Sequence, residues 1–408
     1  MILPAIFYEE KQFIKLWLAQ VLSQLALNTF NFILAIAIYD STKSNQSVSF
    51  VVISFGLAAF LFGIAAGIIV DHFDLKNVLF ITTIARFFVV LAFLLFTGSF
   101  WGTLIVAFSL NAVSQFFFPA ESASIPSIVS KENLLFANSL YTMSYYVAQV
   151  IGYLSAGELV GFFGYKISIV AISGLFLLSA FFILMVNIPK RASVQVMMIE
   201  RLHRKVIAGF KDCLIYIKRN REIQRALIYL GGSQVIVGMF VSLLPGYAVE
   251  VLGVGVHKTG FYLLGPSIIG MVIAGLFLGS LDKHKSHEVL LKASTLGAFI
   301  SVFFLSINFE KLGLNPILMA GISMFVVGLF NSMIVIIANT NLQSHTTENM
   351  RGRIYGVLQT IATVFAAVPV LLAGYLADTL GVNLVLIMVG AFIFLIGIFA
   401  NSRVAKLV

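Results

Sequence analysis

Charge is what this sequence has least of. Only 11% of its 408 residues are Asp, Glu, Lys or Arg, against about a quarter in soluble domains, too few to cover a globular surface. There is one cysteine, Cys213, so neither an internal disulfide nor a Cys-rich metal site can be built. The histidines (His72, His203, His257, His284, His287, His345) lie near loops or interfaces, and His284 with His287 lacks the further ligands that zinc requires. No Gly-x-x-x-x-Gly-Lys-Ser/Thr phosphate loop occurs, which excludes ATP hydrolysis by this chain. No Gly-x-Ser-x-Gly elbow occurs either, which removes the usual nucleophile of a membrane hydrolase. Neither an enzyme nor a cofactor is expected.

What is present is apolar: 60% of residues are hydrophobic and the mean hydropathy is +1.02, the composition of an integral membrane protein. A bilayer core of about 30 Å takes roughly 20 apolar residues per helix. Runs of that kind fall at 14–39, 48–70, 77–97, 100–118, 138–160 and 165–188, then at 226–249, 260–281, 289–307, 315–338, 354–377 and 383–401. The first is longer than a signal-peptide core and is read as a retained span. The spacing predicts an all-α chain of twelve transmembrane helices in two six-helix bundles, 1–188 and 226–408, joined by a linker at 189–225.

That linker carries ten of the 26 basic residues against three acids, a net +7 of the chain's +9. With the N-terminus inside, the short loops and linker place 21 Lys and Arg on the inner side and four (Lys43, Lys166, Lys258, Lys311) on the outer side, Arg86 lying within a run. The positive-inside rule then puts both termini and the linker in the cytoplasm. The basic residues serve topology and anionic lipid headgroups rather than nucleic acid. Within the linker, Leu202, Val206 and Phe210 alternate with basic residues over 199–216, the pattern of an amphipathic helix lying on the inner leaflet.

Few ionisable residues interrupt the runs, and each is a functional candidate because a charge there costs about 2.5–3.5 kcal/mol to insert. Arg86 could bind an anion or hold a carboxylate; snorkelling to the inner headgroups is its default reading. Glu158, close to an outer helix end, is the candidate proton carrier, while Asp40, Glu250 and Asp378 read as boundary residues. Gly67-Ile-Ile-Val-Asp71-His-Phe-Asp-Leu-Lys76 closes the second run. Its glycine permits close helix approach, and Asp71 suits the exposed amides of a helix N-terminus.

This loop resembles the Gly-x-x-x-Asp-Arg/His-x-x-x-Arg/Lys loop of the major facilitator superfamily. Pro119-Ala120 through Ser139-Leu140 resembles the loop between helices four and five in that family's drug, macrolide and siderophore exporters. Arg351-Gly-Arg353-Ile-Tyr-Gly356 and Gly374-Tyr-Leu-Ala-Asp378 resemble segments around their helix eleven. The resemblance implies a secondary transporter of the bacterial plasma membrane that works by alternating access and exports an amphipathic compound such as a macrolide-like drug or a siderophore. It also implies a monomer, with Gly67, Asp71, Lys76, Asp282, Arg351 and Arg353 at a conformational gate.

In that fold helices one, four, seven and ten line the pathway. The implied cavity set is Asn28, Asn31, Arg86, Asn111, Gln115, Tyr145, Gln149, Gln234 and Asn331. These amides suit a neutral or zwitterionic amphipathic solute, and they serve equally as interhelical glue. Two features of the branch are missing. Leu27 or Asn28 stands where an acid of helix one is common, and Gly152-Tyr153 replaces a Gly-Pro pattern, so the branch's proton-antiport pattern is not met, and Glu158 reads either as a proton carrier or as an outer-surface carboxylate. Lysophospholipid transport, with Arg86 near the inner leaflet, and a non-transporting sensor are the alternative readings.

Overall fold

A backbone amide in hydrocarbon has no water to bond, so long apolar runs resolve as helices. The computed structural model describes residues 10–70, 72–130, 132–189, 213, 215–280 and 287–401, and among these the regular structure is helical without a strand. The chain divides into two compact units. One comprises Met1–Thr42 with Ile53–Val196, and the other Lys43–Val52 with Met197–Val408.

The first unit is built from α1 (Lys11–Thr42), α2 (Asn45–Val70), α3 (Leu75–Ala92), α4 (Phe100–Ile128) and α5 (Leu134–Met185). Short polar residues start these helices. Asp74 accepts from the Asn77 amide (3.0 Å) ahead of α3, and Ser99 accepts from the Gly102 amide (3.2 Å) ahead of α4. The longest element, α5, is broken at Gly164, whose φ of 72° favours glycine. Ser144 and Ser179 lie on opposite sides of that break. Even so, Ser144 Oγ donates to Gln20 Oε1 (3.0 Å) and Ser179 Oγ to the Ala19 carbonyl (2.8 Å). The chain therefore doubles back at Gly164, and both arms hold α1 between them.

Burial follows from that placement. In the most apolar part of α1, 78% of residues are buried, against 22% for the stretch Val256–Leu278 of the second unit, which marks α1 as a central helix. Phe13, Leu16, Leu75, Leu79, Phe117 and Ile183 form the core where α1 begins. Two lysines close this end, Lys15 Nζ donating to the Met185 carbonyl (3.0 Å) and Lys76 Nζ to the Leu184 carbonyl (2.7 Å). Cations on the last carbonyls of a helix complement its dipole.

The second unit contains α6 (Arg221–Gly246), α7 (Gly265–Ser280), α8 (His287–Leu305), α9 (Pro316–Ser344), α10 (Glu348–Leu380) and α11 (Val382–Asn401). Five-residue π-helical turns at Tyr247–Val251 and Gly260–Leu264 extend α6 and lead into α7. The axes of α7 and α9 approach at backbone range: a Cβ on Gly328 would lie 1.9 Å from the Ser267 carbonyl oxygen. The first turns of α2 belong to this unit. Asp378 accepts from Ser44 Oγ (2.5 Å), the amides of Asn45 (2.7 Å) and Gln46 (3.1 Å), and Asn45 Nδ2 (3.1 Å). The acid expected to be a plain boundary residue thus caps a helix N-terminus.

Ten stretches among the described residues are long and apolar enough to cross a membrane. One of them, Phe136–Met185, holds two crossings on either side of Gly164, and Phe365–Leu380 adds a shorter one. The twelve expected runs are accounted for, with two boundary differences. The run expected to end at residue 118 continues as helix to Ile128, through Pro119 and Pro126. Inside a bundle the bond a proline forfeits does not end a helix, because neighbouring groups satisfy the freed carbonyl. The loop expected near residues 161–164 is reduced to the break at one glycine. The amphipathic segment at 199–216 lies for the most part outside the described residues.

Candidate functional site

The continuation of α4 past Pro119 carries Glu121 into the interior of the first unit. Arg86 from α3 lies in the same enclosed space, and each is 0% exposed. Arg86 therefore does not snorkel. Its side chain turns inward, where Nη1 donates to Ser23 Oγ (2.6 Å) and the guanidinium carbon sits 3.9 Å from the centre of the Phe117 ring. Phe176, on the second arm of α5, lies 5.8 Å away, so aromatic faces replace water as the medium of the charge.

Glu121 Oε2 accepts from the Tyr141 hydroxyl, and the carboxylate and guanidinium attract one another across the cluster. A direct ion pair is not formed: Glu121 Oε1, Arg86 Nε and Arg86 Nη2 are all buried without a hydrogen-bond partner. From α1, Gln20, Ser23 and Gln24 share one face at spacings of three and four residues. Gln20 Nε2 and both polar atoms of the Gln24 amide are likewise unpartnered. Trp17 Nε1 donates to Ser144 Oγ (3.0 Å), joining an indole to the edge of this network.

Buried polar groups are nearly always bonded, and removing one partner of a buried pair costs about 3–5 kcal/mol. The closed cluster here keeps several donors and acceptors open. It holds one positive and one ionisable negative group at separate positions.

The expected cavity residues divide. Asn111 Nδ2 donates to Asn31 Oδ1 (3.1 Å), and Gln115 Nε2 to the Asn111 carbonyl (3.4 Å), so the amides of α1 and α4 meet in one chain. Asn28 is buried and its Nδ2 turns onto the Gln24 carbonyl of its own helix (2.8 Å). Gln149 Nε2 donates to the Tyr153 hydroxyl (3.4 Å), and Tyr145 stacks edge-on against Tyr146.

In the second unit Gln234 is exposed, whereas Asn331 accepts from Ser233 Oγ (2.7 Å) and borders a cavity of about 90 Å³ lined by Phe240, Met271 and Met324. Of the expected gate residues, Asp71 and Asp282 lie outside the described residues. Gly67, Arg351 and Arg353 are described only as helical backbone. Glu158 is half-buried on the first arm of α5.

Glu121 was not among the residues singled out from the sequence. The signal was available: a proline within an apolar run interrupts one hydrogen bond rather than the helix, which leaves Glu121 inside the span.

Comparisons with known proteins fit this architecture. The chain is 24% identical over 406 residues to Macrolide efflux protein A of Streptococcus pyogenes, covering 95% of this chain and 94% of that protein. It is 21% identical over 378 residues to the uncharacterized MFS-type transporter YfiS of Bacillus subtilis, covering 90% and 86%. The crystal structure of a bacterial homologue of the human lysosomal transporter Spinster superimposes with a TM-score of 0.69 at 13% identity, over 96% of each chain. The model of the Major Facilitator Superfamily matches residues 16–369. That match spans most of both helical units, and the protein belongs to the major facilitator superfamily of multi-pass membrane transporters.

Proposed function

We propose that this transporter exports an amphipathic small molecule of the macrolide kind across a bacterial plasma membrane. The observation that carries the proposal is the similarity to Macrolide efflux protein A, which runs through nearly the full length of both chains. The polar amides set among aromatic and methionine side chains support it. Asn31, Asn111 and Gln115 in one unit, and Asn331 beside Phe240 and Met324 in the other, offer hydrogen bonds on adaptable apolar walls. Tyr145, Gln149, Gln234 and Asn28 complete the proposed cavity set, whereas Arg86, expected there from the sequence, is sealed inside the first unit and falls outside it. Gly67, Asp71, Lys76, Asp282, Arg351 and Arg353 are the proposed gate, and the skew of basic residues toward one side supports a cytoplasmic position for both termini.

The alternative of lysophospholipid transport drew on an Arg86 near the inner leaflet, and that side chain is buried within the first unit. The test is accumulation of a radiolabelled macrolide and of ethidium in a bacterial host stripped of its own exporters. Cells carrying the protein should retain less of at least one compound than cells without it. Equal retention of both, with the protein verified in the membrane, would overturn the proposal.

A further inference from the structure

We propose that Glu121 is the group that takes up and releases a proton during the transport cycle, with Arg86 as its resident counter-charge and Tyr141 as its hydrogen-bond partner. The proposal does not depend on which solute is carried.

Its ground is the geometry of the enclosed cluster. Arg86, Glu121, Gln20, Ser23 and Gln24 are all 0% exposed, so no solute reaches them while the first unit keeps its packing. A proton, passed along water or hydroxyl groups, is the one ligand such a space can gain or lose without being opened. A pair kept only for stability would be expected to close on itself, with the guanidinium fork on both carboxylate oxygens. Here Glu121 Oε1 is left open, as are Arg86 Nε and Nη2. Uptake of a proton on Oε1 converts the carboxylate to the neutral acid and raises the net charge of the cluster by one. No other bond changes.

Arg86 then stands buried without a counter-charge, a state that favours rearrangement of α3 and α4 around it. Release of the proton restores the compensated arrangement. Protonation is thereby linked to conformation through a charge that the interior must balance.

The charged and titratable groups that act on Glu121 are few: Arg86 from α3 and Tyr141 from α5, with Tyr145 on the same field from one turn further along. The α1 side chains nearby are uncharged, Ser23 bonding Arg86 and Gln20 bonding Ser144. Glu158, the acid expected from sequence to carry the proton, is half-buried nearer the end of the first arm of α5.

The cluster carries its own reporter. Trp17 bonds to Ser144, whose hydroxyl also reaches Gln20, and the only other tryptophan of the chain is the exposed Trp101. In a Trp101→Phe protein reconstituted in nanodiscs, Trp17 fluorescence should show one transition between about pH 4 and pH 10. Glu121→Gln should abolish it, Glu158→Gln should leave it in place, and Tyr141→Phe should displace its midpoint. Because Tyr141→Phe keeps the carboxylate and the ring, it remains informative if Glu121→Gln fails to fold. In proteoliposomes Glu121→Gln should retain solute exchange at equal pH on both sides and lose the response to a pH gradient. A transition that survives Glu121→Gln, a midpoint unmoved by Tyr141→Phe, or a response that disappears with Glu158→Gln instead would overturn the assignment.

Discussion

Between α1, α3, α4 and α5 the first unit encloses an arginine, a glutamate, a phenol and two amides, several with open hydrogen-bonding atoms. Between α6, α7 and α9 the second unit holds a partly open cavity of about 90 Å³ walled by Phe240, Met271, Met324 and Val327, with Asn331 at its edge. Both are interiors of helical bundles in the same chain, yet one stores unbalanced polarity and the other unfilled volume. A third arrangement calibrates the first. Asp378 accepts hydrogen bonds from Ser44, Gln46 and two atoms of Asn45. Asp378 reads as structural because its bonds are complete, and Glu121 as functional because its bonds are not.

The largest effect that would break this comparison is expected at Arg86. Arg86→Met should cost about 3–5 kcal/mol by leaving Glu121 buried and uncompensated, read as a fall in thermal unfolding temperature in detergent. The double variant Arg86→Met with Glu121→Met should recover most of that loss. A double variant no more stable than the single one would show that the two residues are not coupled.

Packing should dominate instead in the second unit. Gly328→Ala places a methyl group 1.9 Å from the Ser267 carbonyl, an overpacking worth about 1–3 kcal/mol. Gly275→Ala on the same helix pair, where a Cβ meets nothing within 4 Å, should leave the unfolding temperature unchanged.

A smaller loss, about 1 kcal/mol, is expected for Asp378→Asn, which keeps one acceptor for the start of α2 and removes the charge. The same thermal assay checks it, and a loss as large as that of Arg86→Met would erase the contrast between complete and incomplete carboxylates.

The smallest effect lies at Glu10, just ahead of α1. Burial pushes its carboxyl up, but hydrogen bonds from the Ser130 hydroxyl and amide and from Asn133 Nδ2 outweigh this and hold it below the ordinary carboxylate range. A carboxyl lowered in the folded state contributes stability above its unfolded pKa and loses it as pH falls through the folded value. Acidification should therefore weaken the tie between the start of α1 and the Ser130–Asn133 turn. Glu10→Gln should show a flatter dependence of unfolding temperature on acid pH than the parent.

The helices were legible because a bilayer offers no alternative to them. The charged cluster was not, since it depends on two facts that lie outside any local pattern. One is that α4 tolerates Pro119, which moves Glu121 from an expected loop into a bundle. The other is that Arg86 faces Ser23 and Phe117 rather than lipid. On a single helix, Arg86 reads the same whether it points outward or inward. Asn31 and Asn111 show the same dependence: amide spacing announced a polar face on each helix, while the bond between them exists only because α1 and α4 cross at that height.

Composition and periodicity by themselves determined a membrane protein of twelve spans in two halves, because hydrophobic length and the placement of Lys and Arg are properties of the chain. Tertiary structure alone decided which carboxylate is sealed in with a charge and which is fully capped. The energy of a buried polar atom is set by the neighbours that packing brings to it, and those neighbours come from other helices.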